Sequence, residues 1–456
     1  MSVSYPTLVS ASARGVLEEY DHSICLGKDE EFIIVYGPNG IGKTKFLEII
    51  HALSHLQGYS LSTLPFDSAT LGYSDGSELS VKRREAEVKV TDRLSLFPSL
   101  PKISFTLRRP GKKPLTWEHD DDDVTLFLRR SGRYEQISEV FWQDAMDGEI
   151  VHIEELRDRY ERRLSSRKRK SEVVPEDARA FVEQVPSFLI ETQRLRTGQQ
   201  GLEKLSRMGN RGNPESRVSG SRINDQAKTI RSLLTDAQTE HSRITQQLDR
   251  TFPNRVLGAA TKEQDLNQDD IRSRYNAQNE FRSRLGRVAS VSLDDELSLP
   301  DGDLDGWALT LLNQYLEDAH KKLTPFVDLL AKIELLEQIV NDRLLNKTLR
   351  VTDGEGLSVE HSLTHRAIAL DSLSSGEQHE IILMIDLLFN VSDGAVVLID
   401  EPEISLHVAW QLAFIPDVRK IAELAGFRFV VATHSPQIIN DQWDRSVRLG
   451  PGEVSF

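Results

Sequence analysis

The sequence predicts a mixed α/β fold in which a helical insertion separates two α/β segments. The run Phe32–Tyr36 is apolar, β-branched and short enough to be a buried strand, and a glycine-rich turn and a helix follow it. Apolar residues recur at alternating spacings of three and four in residues 227–248 and again in 309–333, which is typical of the seam between packed helices. Apolar strands return at Ala395–Ile399 and Phe427–Ala432. The two outer segments therefore bracket a helical arm.

Three parts are expected along the chain. Residues 1–200 form an N-terminal lobe, residues 201–345 the helical insertion and residues 346–456 a C-terminal lobe. Between Thr70 and Leu126 the pattern changes to short alternating segments broken by turn residues, which predicts an antiparallel β-subdomain appended to the N-terminal lobe. Each helix of the insertion covers about 25 to 40 residues, or roughly 40 to 60 Å at the rise of an α-helix. The arm is therefore a short coiled-coil stub.

Length and composition indicate a globular protein of the cytoplasm. The chain has 456 residues, of which 39% are hydrophobic, enough to supply a sizeable core. Its longest apolar runs fall well short of the roughly 18 to 20 residues that a membrane span needs, and no export signal is recognisable at the N-terminus. A single cysteine, Cys25, excludes an internal disulfide framework and any multi-cysteine metal site. A cytoplasmic protein with no membrane segment is therefore expected.

Charge is unevenly distributed along the chain. The net charge of −15 argues against a surface that binds nucleic acid over its whole extent. Basic residues nevertheless crowd Arg157–Lys170, and arginines recur in the glycine- and serine-rich stretch Gly198–Gly220. These are either a solvated helix face and a loop, or a contact for nucleic acid or an acidic partner. The run Asp120–Asp123 beside His119 is, similarly, either a solvated turn or a set of metal ligands.

The glycine-rich turn after the first buried strand matches the phosphate-binding pattern GxxxxGK[ST]. Its glycines let backbone amides converge on phosphate oxygens, and the helix N-terminus adds positive potential. Lys43 is placed to neutralise the β and γ phosphates, and Thr44 to ligate Mg²⁺. The nucleotide-binding candidates are Asn39, Gly40, Gly42, Lys43 and Thr44. The segment therefore predicts binding of ATP with Mg²⁺.

A second motif, Val396–Glu401, is an apolar strand that ends in two carboxylates. Asp400 stands at the end of the strand, where it can hold the hydrated magnesium ion. Glu401 can orient and polarise the water that attacks the γ phosphate. An acidic pair after a strand is common, but in a chain with a P-loop it has the form of a Walker B segment and predicts ATP hydrolysis.

Two further elements narrow the class of P-loop protein. Leu373–Gln378 precedes a long apolar helix, and its serine and glycine place a hydroxyl, backbone amides and a helix N-terminus where a phosphate could dock. Ser375 lies 25 residues before Asp400, which is room for one helix and the strand that follows it. The second element is His434, which follows the strand Phe427–Val431; alone, a histidine in this position is usually structural.

The four motifs together resemble an ABC-type ATPase head, of the branch that includes RecF, the SMC proteins and the overcoming-lysogenisation-defect (OLD) ATPases. The resemblance implies a P-loop NTPase fold with an antiparallel β-subdomain, ATP and Mg²⁺ as ligands, and Glu401 and His434 as catalytic residues. It also implies that Ser374 and Gly376 of one subunit contact the ATP bound to another, so that a homodimer or higher homo-oligomer completes the site. Ser375 departs from the family, which usually has a second glycine there.

The same resemblance suggests two further site residues. Gln193, after the apolar run Phe188–Ile190, stands where the family has a glutamine that reaches toward magnesium and water, which implies a metal ligand. His407, in the stretch Glu401–His407, is either a cross-dimer contact or a residue at the start of a helix. The resemblance is close around the motifs and only architectural elsewhere.

Bacterial ATPases of this build resemble components of phage-defence systems, such as Septu or PARIS, that pair with a separate effector nuclease. No nuclease motif is recognisable in this sequence, so the resemblance implies that any effector comes from another chain. The leading hypothesis is an ATPase whose ATP-driven head dimerisation controls such a partner in anti-phage defence. The alternative is a RecF-like DNA-repair ATPase whose ATP state gates DNA binding. A transporter subunit is disfavoured by the helical insertion.

Overall fold

The computed structural model describes residues 6–27, 30–84, 101–119, 131–137, 141–146, 148–152, 174–191, 222–260, 266–289, 302–404 and 408–450, together with residues 128, 155–156, 159–160, 299 and 406. The chain divides into two compact units. Unit 1 comprises residues 1–217 and 391–456, and unit 2 comprises residues 218–390. The division into three parts expected from the sequence stays a prediction.

Strands and helices alternate in unit 1, and helices dominate unit 2. The strands are β1 (Leu8–Val16), β2 (Tyr20–Cys25), β3 (Phe32–Tyr36), β4 (Ser68–Tyr73), β5 (Glu78–Arg84), β6 (Lys102–Arg108), β7 (Leu115–His119), β8 (Tyr134–Gln136), β9 (Phe141–Asp144), β10 (Ile150–His152), β11 (Ser187–Glu191), β12 (Lys347–Thr352), β13 (Gly356–His361), β14 (Ala367–Ile368), β15 (Val396–Asp400), β16 (Arg428–Thr433) and β17 (Ser446–Arg448). The α-helices are α1 (Lys43–Ser54), α2 (Gly58–Thr63), α3 (Glu176–Glu183), α4 (Arg222–Ala260), α5 (Gln268–Val288), α6 (Gly306–Asn341), α7 (Ser375–Ile385), α8 (Val408–Ala425) and α9 (Pro436–Ile439). Two small antiparallel sheets have the strand orders β10–β9–β8 and β12–β13–β14.

The centre of unit 1 is a parallel sheet with the strand order β11–β15–β16–β3–β17. All five residues of β15 are buried, as expected for a strand whose two faces are both covered. The strands pair so that Asp400, at the end of β15, lies beside Glu191 on one neighbour and Ala432 on the other. The buried strands predicted at Phe32–Tyr36 and Ala395–Ile399 are confirmed, and their carboxyl ends share one edge of the sheet.

The second large sheet of unit 1 is antiparallel, in the order β2–β1–β4–β5–β6–β7. Helix α1 lies between the two sheets, and residues from all three elements, such as Phe46, Leu71 and Val430, share one hydrophobic cluster. The β4–β5 turn has Gly76 at a φ of +82°, a conformation that suits glycine. The β-subdomain predicted from the alternating pattern is confirmed over its described residues, and β1 and β2 extend it. Helix α1, which follows the P-loop, is therefore held on both sides.

Unit 2 is built on the long helices α4, α5 and α6. The predicted seam is confirmed over most of its length, since its apolar residues are buried at Ala227, Ile230, Leu234, Ala237, Leu316, Ala319, Leu323, Phe326, Leu330 and Ile333. Its outer residues Ile244, Leu248, Leu309 and Leu312 are half-buried. The sequence predicted two arm helices, and α5 is a third. This helix is polar, so its apolar periodicity is weak. Ion pairs such as Arg284 with Glu334 join it to α6.

The most apolar helix of unit 2 is α7, in which residues 378–385 are buried. It has 11 residues and continues into a π-helical turn at Asp386–Asn390. Within the described part of the chain, no helix is both long enough and apolar enough to cross a membrane.

Candidate nucleotide-binding site

The P-loop joins β3 to α1 at the carboxyl edge of the parallel sheet. Gly40 and Gly42 have φ values of +87° and +88°, a region in which a side chain is strained. A Cβ on Gly42 would also lie 2.8 Å from the side chain of Val16, at the end of β1. The path of the loop therefore requires glycine at position 42. Asn39 is exposed beside these glycines.

Lys43 is folded back into the P-loop and is 5% exposed. Its Nζ donates hydrogen bonds to the carbonyl oxygens of Gly37, at 3.1 Å, and Pro38, at 3.2 Å. Burial lowers the pKa of Lys43, while three nearby carboxylates act in the opposite sense. Carbonyl oxygens thus hold the amine of Lys43 at the centre of the loop. A bound phosphate could take their place and form charge-assisted hydrogen bonds with the amine.

Thr44 and Asp400 are joined across the fold, because Thr44 Oγ1 donates to Asp400 Oδ2 at 2.8 Å. The pKa of Asp400 is raised to about 6, because burial and neighbouring carboxylates that include Glu401 and Glu191 outweigh the Thr44 hydrogen bond, which lowers it. A bound cation would relieve this repulsion, and oxygen atoms are the ligands that Mg²⁺ prefers. The residues present therefore fit a magnesium ion.

Magnesium at this place would share its ligands with the substrate. Among the described residues, no group of three or more histidine, cysteine, aspartate or glutamate side chains is placed to hold a metal ion. Mg²⁺ in phosphate-binding sites usually takes one or two protein ligands and completes its shell with phosphate oxygens and water. The Thr44 and Asp400 pair matches that pattern.

Glu401 and His434 follow adjacent parallel strands and face each other beside Lys43. Oε1 of Glu401 lies 3.3 Å from Nε2 of His434, and the same imidazole contacts Lys43 Nζ. Glu401 has a φ of +45°, which is uncommon for a residue with a side chain, and its N–H donates to the carbonyl of Ala432 at 2.8 Å. The structure therefore brings the P-loop lysine, the Walker B glutamate and the histidine together within unit 1.

One supporting residue, His22, was missed by the sequence reasoning. Its Nε2 lies 2.7 Å from the carbonyl oxygen of Ile41 in the P-loop. The ring is 6.0 Å from that of Tyr20 and 5.6 Å from that of Phe46, measured between centroids. The one signal in the sequence is a polar residue at an inward position of β2, since His22 and Ile24 are buried on the same face. His22 therefore fixes the loop from the side of the antiparallel sheet.

A second missed residue is Glu403, which the sequence placed only in the stretch after the Walker B pair. Its carboxylate accepts hydrogen bonds from Thr433, His434 and Ser435. No local pattern predicts such a contact, because the partners lie some thirty residues further along the chain.

The predicted signature segment lies in unit 2, at the start of α7. Ser374 caps the helix: its Oγ accepts from the Glu377 N–H at 3.3 Å, and Glu377 Oε2 accepts from the Ser374 N–H at 2.8 Å and the Ser374 hydroxyl at 2.9 Å. Lys347 Nζ donates to both oxygens of Glu377, at 2.6 and 2.9 Å. Burial raises the pKa of Glu377, but these hydrogen bonds outweigh it and hold the pKa below its usual range. Gly376 lies in the first turn of the helix.

Several sequence predictions fall outside the described residues. These are Gln193, His407, the run Asp120–Asp123, the stretch Gly198–Gly220 and, apart from Arg159 and Tyr160, the basic segment Arg157–Lys170. Arg159 is paired with Glu155 at 2.7 Å. The roles proposed for these residues stay predictions.

The chain is similar to a known protein family over most of its length. Residues 32–440 match the family described as "AAA domain, putative AbiEii toxin, Type IV TA system". A comparison with curated proteins finds no match.

Two solved structures that resemble the chain are SMC head domains. One, from Pyrococcus furiosus, has an extended coiled coil and is bound to the C-terminal domain of ScpA; it is 12% identical, with a TM-score of 0.35, and the alignment covers 95% of this chain and 91% of that one. The other, from Thermotoga maritima, is 10% identical, with a TM-score of 0.32, and the alignment covers 98% of this chain and 100% of that one.

The family match and the site geometry lead to the same class of protein. The matched residues contain the P-loop, the Walker B pair and His434, which meet at one edge of a parallel sheet. The chain therefore belongs to this AAA family of P-loop ATPase domains.

Proposed function

We propose that this protein is an ABC-type ATPase that hydrolyses ATP and that uses the nucleotide to join two copies of itself. The observation that carries the proposal is the contact of His434 with both Lys43 and Glu401. A phosphate-binding amine, a carboxylate able to act on water and a histidine are the groups that phosphoryl transfer to water requires.

In the proposed reaction the P-loop amides and Lys43 bind and orient the phosphates of the substrate. Glu401 orients and polarises the attacking water in line with the γ phosphate, and His434 hydrogen-bonds a γ-phosphate oxygen. Mg²⁺, which Thr44 and Asp400 would hold, supplies neutralisation of the charge on the phosphate oxygens when it is bound.

The signature segment is proposed to act on the nucleotide of a second copy. Ser374 and Ser375 are exposed at the start of α7, where the helix N-terminus favours an anion. Ser374 and Gly376 would contact the γ phosphate held by the other copy, so each complete site would need two chains. The protein would then be a homodimer, or a higher oligomer built from such dimers.

We further propose that the ATP-bound dimer controls a separate effector, a nuclease in anti-phage defence. The support for a second component is limited to the family description, which mentions a "putative AbiEii toxin" and a type IV toxin–antitoxin system, a kind of system that has two components. The effector is the chemically active partner in this proposal, and the ATPase sets when it acts.

The proposal is tested by Glu401→Gln, which keeps the size of the side chain but cannot accept a proton. We expect turnover to fall by about 100- to 10,000-fold, the usual contribution of a general base, while ATP stays bound. Phosphate release measures turnover, and light scattering with ATP and Mg²⁺ should show a dimer that persists. Glu423→Gln, at an exposed position of α8, is the matched control. Unchanged turnover in Glu401→Gln would rule out the hydrolysis mechanism. An ATP complex that stays monomeric would rule out dimerisation by ATP.

The RecF-like alternative gains no support from the described part of the arm. Several of its arginines pair with carboxylates of the same unit: Arg243 with Glu240, Arg255 with Asp318, Arg284 with Glu334 and Arg287 with Glu337. Arginines that are neutralised in place contribute little to binding a phosphate backbone, which depends on displacing counterions. DNA binding that weakens when arm arginines are removed would restore the alternative.

A further inference from the structure

One carboxylate ties together two loops at the edge of the parallel sheet. The Walker B loop, residues 401–404, contains Glu403, and the switch loop is residues 433–435. Oε1 of Glu403 accepts three hydrogen bonds from the switch loop: from the hydroxyl of its first residue at 2.8 Å and from the backbone N–H of its second and third residues at 2.6 and 3.1 Å. A charged acceptor that serves three consecutive residues fixes the backbone on both sides of the middle one, which is His434.

A second connection runs in parallel through Gln411 of α8. Its Nε2 donates to the backbone carbonyl of Glu403 at 3.4 Å and to that of Leu406 at 3.1 Å. Its Oε1 accepts from the hydroxyl of Ser435 at 2.7 Å. The segment after the Walker B pair and the switch loop are therefore bonded to each other twice.

The bonds made by Glu403 are directed at the switch loop. Thr433 is fully buried, and its hydroxyl also accepts from the Ser435 N–H at 2.9 Å, which closes the loop on itself. The second carboxylate oxygen, Oε2 of Glu403, is buried and has no hydrogen-bond partner among the described residues. The hydrogen bonds of Glu403 thus reach the site through the backbone of the switch loop, and its charge also acts on Lys43.

We propose that Glu403 is a positioning residue, which holds His434 in register with Lys43 and Glu401. The inference rests on the proposed function, because it assigns the support of the histidine that acts there. Without the three bonds, the backbone of His434 is free to shift, and a misplacement of a catalytic group by about 1 Å can cost about 100-fold in rate. The proposed contribution is to geometry, and because Glu403 is also a negative charge near Lys43, its loss should not weaken the binding of an anionic nucleotide by the P-loop.

Two substitutions separate this role from others. Glu403→Leu removes the acceptor at similar size, and we expect kcat to fall by about 100-fold while KM and the affinity for a fluorescent ATP analogue hold. Glu403→Gln keeps an oxygen that can accept the same bonds, and we expect it to recover most of kcat. Glu423→Leu, at an exposed position of α8, is the control and should match the unsubstituted protein.

Hydrogen exchange gives a readout that does not require turnover. In the nucleotide-free protein the amides of His434 and Ser435 should be protected, and Glu403→Leu should increase their exchange while leaving the core strands unchanged. If Glu403→Leu does not fold, Thr433→Val tests the same support by removing the hydroxyl, with its bonds to Glu403 and to the Ser435 N–H, while the two backbone bonds to Glu403 stay. We expect a smaller loss of kcat with KM unchanged.

Three results would overturn the inference. Loss of kcat in Glu403→Gln as large as in Glu401→Gln would make Glu403 a reacting group. A fall in nucleotide affinity equal to the fall in kcat would place it in the binding site. Unchanged exchange of the switch loop in Glu403→Leu would show that the bonds do not hold the loop. If the unsubstituted protein does not hydrolyse ATP, the proposed function fails. The exchange experiment still tests whether the hydrogen bonds of Glu403 hold the switch loop.

Discussion

The two helix N-termini that carry phosphate-binding motifs are completed in different ways. Every α-helix begins with backbone N–H groups that lack partners within the helix. At the start of α1, in unit 1, the N-cap is Gly42, which offers no side-chain cap. At the start of α7, in unit 2, Ser374 and Glu377 form a complete capping box. One helix end is thus left for a ligand, and the other is closed by its own side chains.

The difference indicates what each end contributes. We expect an uncapped N-terminus with a lysine beside it to bind phosphate in the isolated chain, since its first amides have no side-chain cap. A capped N-terminus has to exchange hydrogen bonds to receive one, so it adds little to the first binding step. We therefore expect the P-loop to bind ATP and the signature segment to act afterwards.

The largest effect expected is the difference in ATP affinity between two substitutions, Lys43→Ala and Ser374→Ala. Lys43→Ala should abolish measurable ATP binding and lower turnover by about 100- to 1,000-fold, because a preorganised charged donor is lost. Ser374→Ala should keep ATP affinity near that of the unsubstituted protein and lose turnover. Calorimetric titration with ATP and phosphate release measure the two quantities. Equal loss of ATP affinity in both variants would remove the distinction between the two helix ends.

An intermediate effect is expected from Glu377→Gln, which weakens the capping box and its bond to Lys347. The free energy of unfolding should fall by about 1 kcal/mol, the usual value of a helix cap, with turnover changed by less than about tenfold. Denaturant unfolding measures the first, and Glu355→Gln, exposed in the β12–β13 turn, is the control. A loss of turnover as deep as that of Ser374→Ala would mean that Glu377 itself contacts the substrate.

A third effect, on stability alone, concerns pH, where the two units should respond in opposite directions. Burial and, to a smaller extent, the nearby His55 lower the pKa of His51, on α1, to about 4. The stability that His51 contributes is therefore full above pH 6.5 and is lost as the pH falls towards 4, by up to about 3 kcal/mol. Burial raises the pKa of Glu380, on α7, to about 7 despite its ion pair with Arg343, so its contribution is full below pH 4.5 and is lost as the pH rises towards 7.

Hydrogen exchange of α1 and α7 between pH 4 and pH 7, corrected for the intrinsic rates, measures both responses. Protection of α1 should fall in acid, and protection of α7 should not. His51→Gln should flatten the response of α1 alone. The same pH dependence in both helices, or no change in His51→Gln, would contradict the assignment.

Motifs made of consecutive residues were predictable from the sequence. The glycines of the P-loop predict its turn, because they occupy left-handed positions. The apolar run that ends in carboxylates predicts the buried Walker B strand. The seam of α4 and α6 was predictable for the same reason, because its apolar spacing is local.

Contacts between distant segments were not predictable. His22 and Glu403 act through hydrogen bonds to loops that are close only in the folded chain. Helix α5 was missed because it is polar and shows little of the apolar periodicity that marks a buried helix. Arginines make several of its contacts with α6. The contact of Thr44 with Asp400 depends on the strand order of the sheet, which neither motif determines.

The central claim, that each ATP site is completed by a second copy, is tested most directly by mixing two inactive variants. Lys43→Ala lacks the P-loop amine, and Ser374→Arg blocks the signature segment, so each alone should be inactive. A mixed dimer pairs the intact P-loop of one with the intact signature segment of the other. Random mixing in equal amounts should therefore restore about a quarter of the unsubstituted turnover, since half of the dimers carry one complete site of two. No recovery after mixing, with each variant folded and able to exchange partners, would contradict the claim.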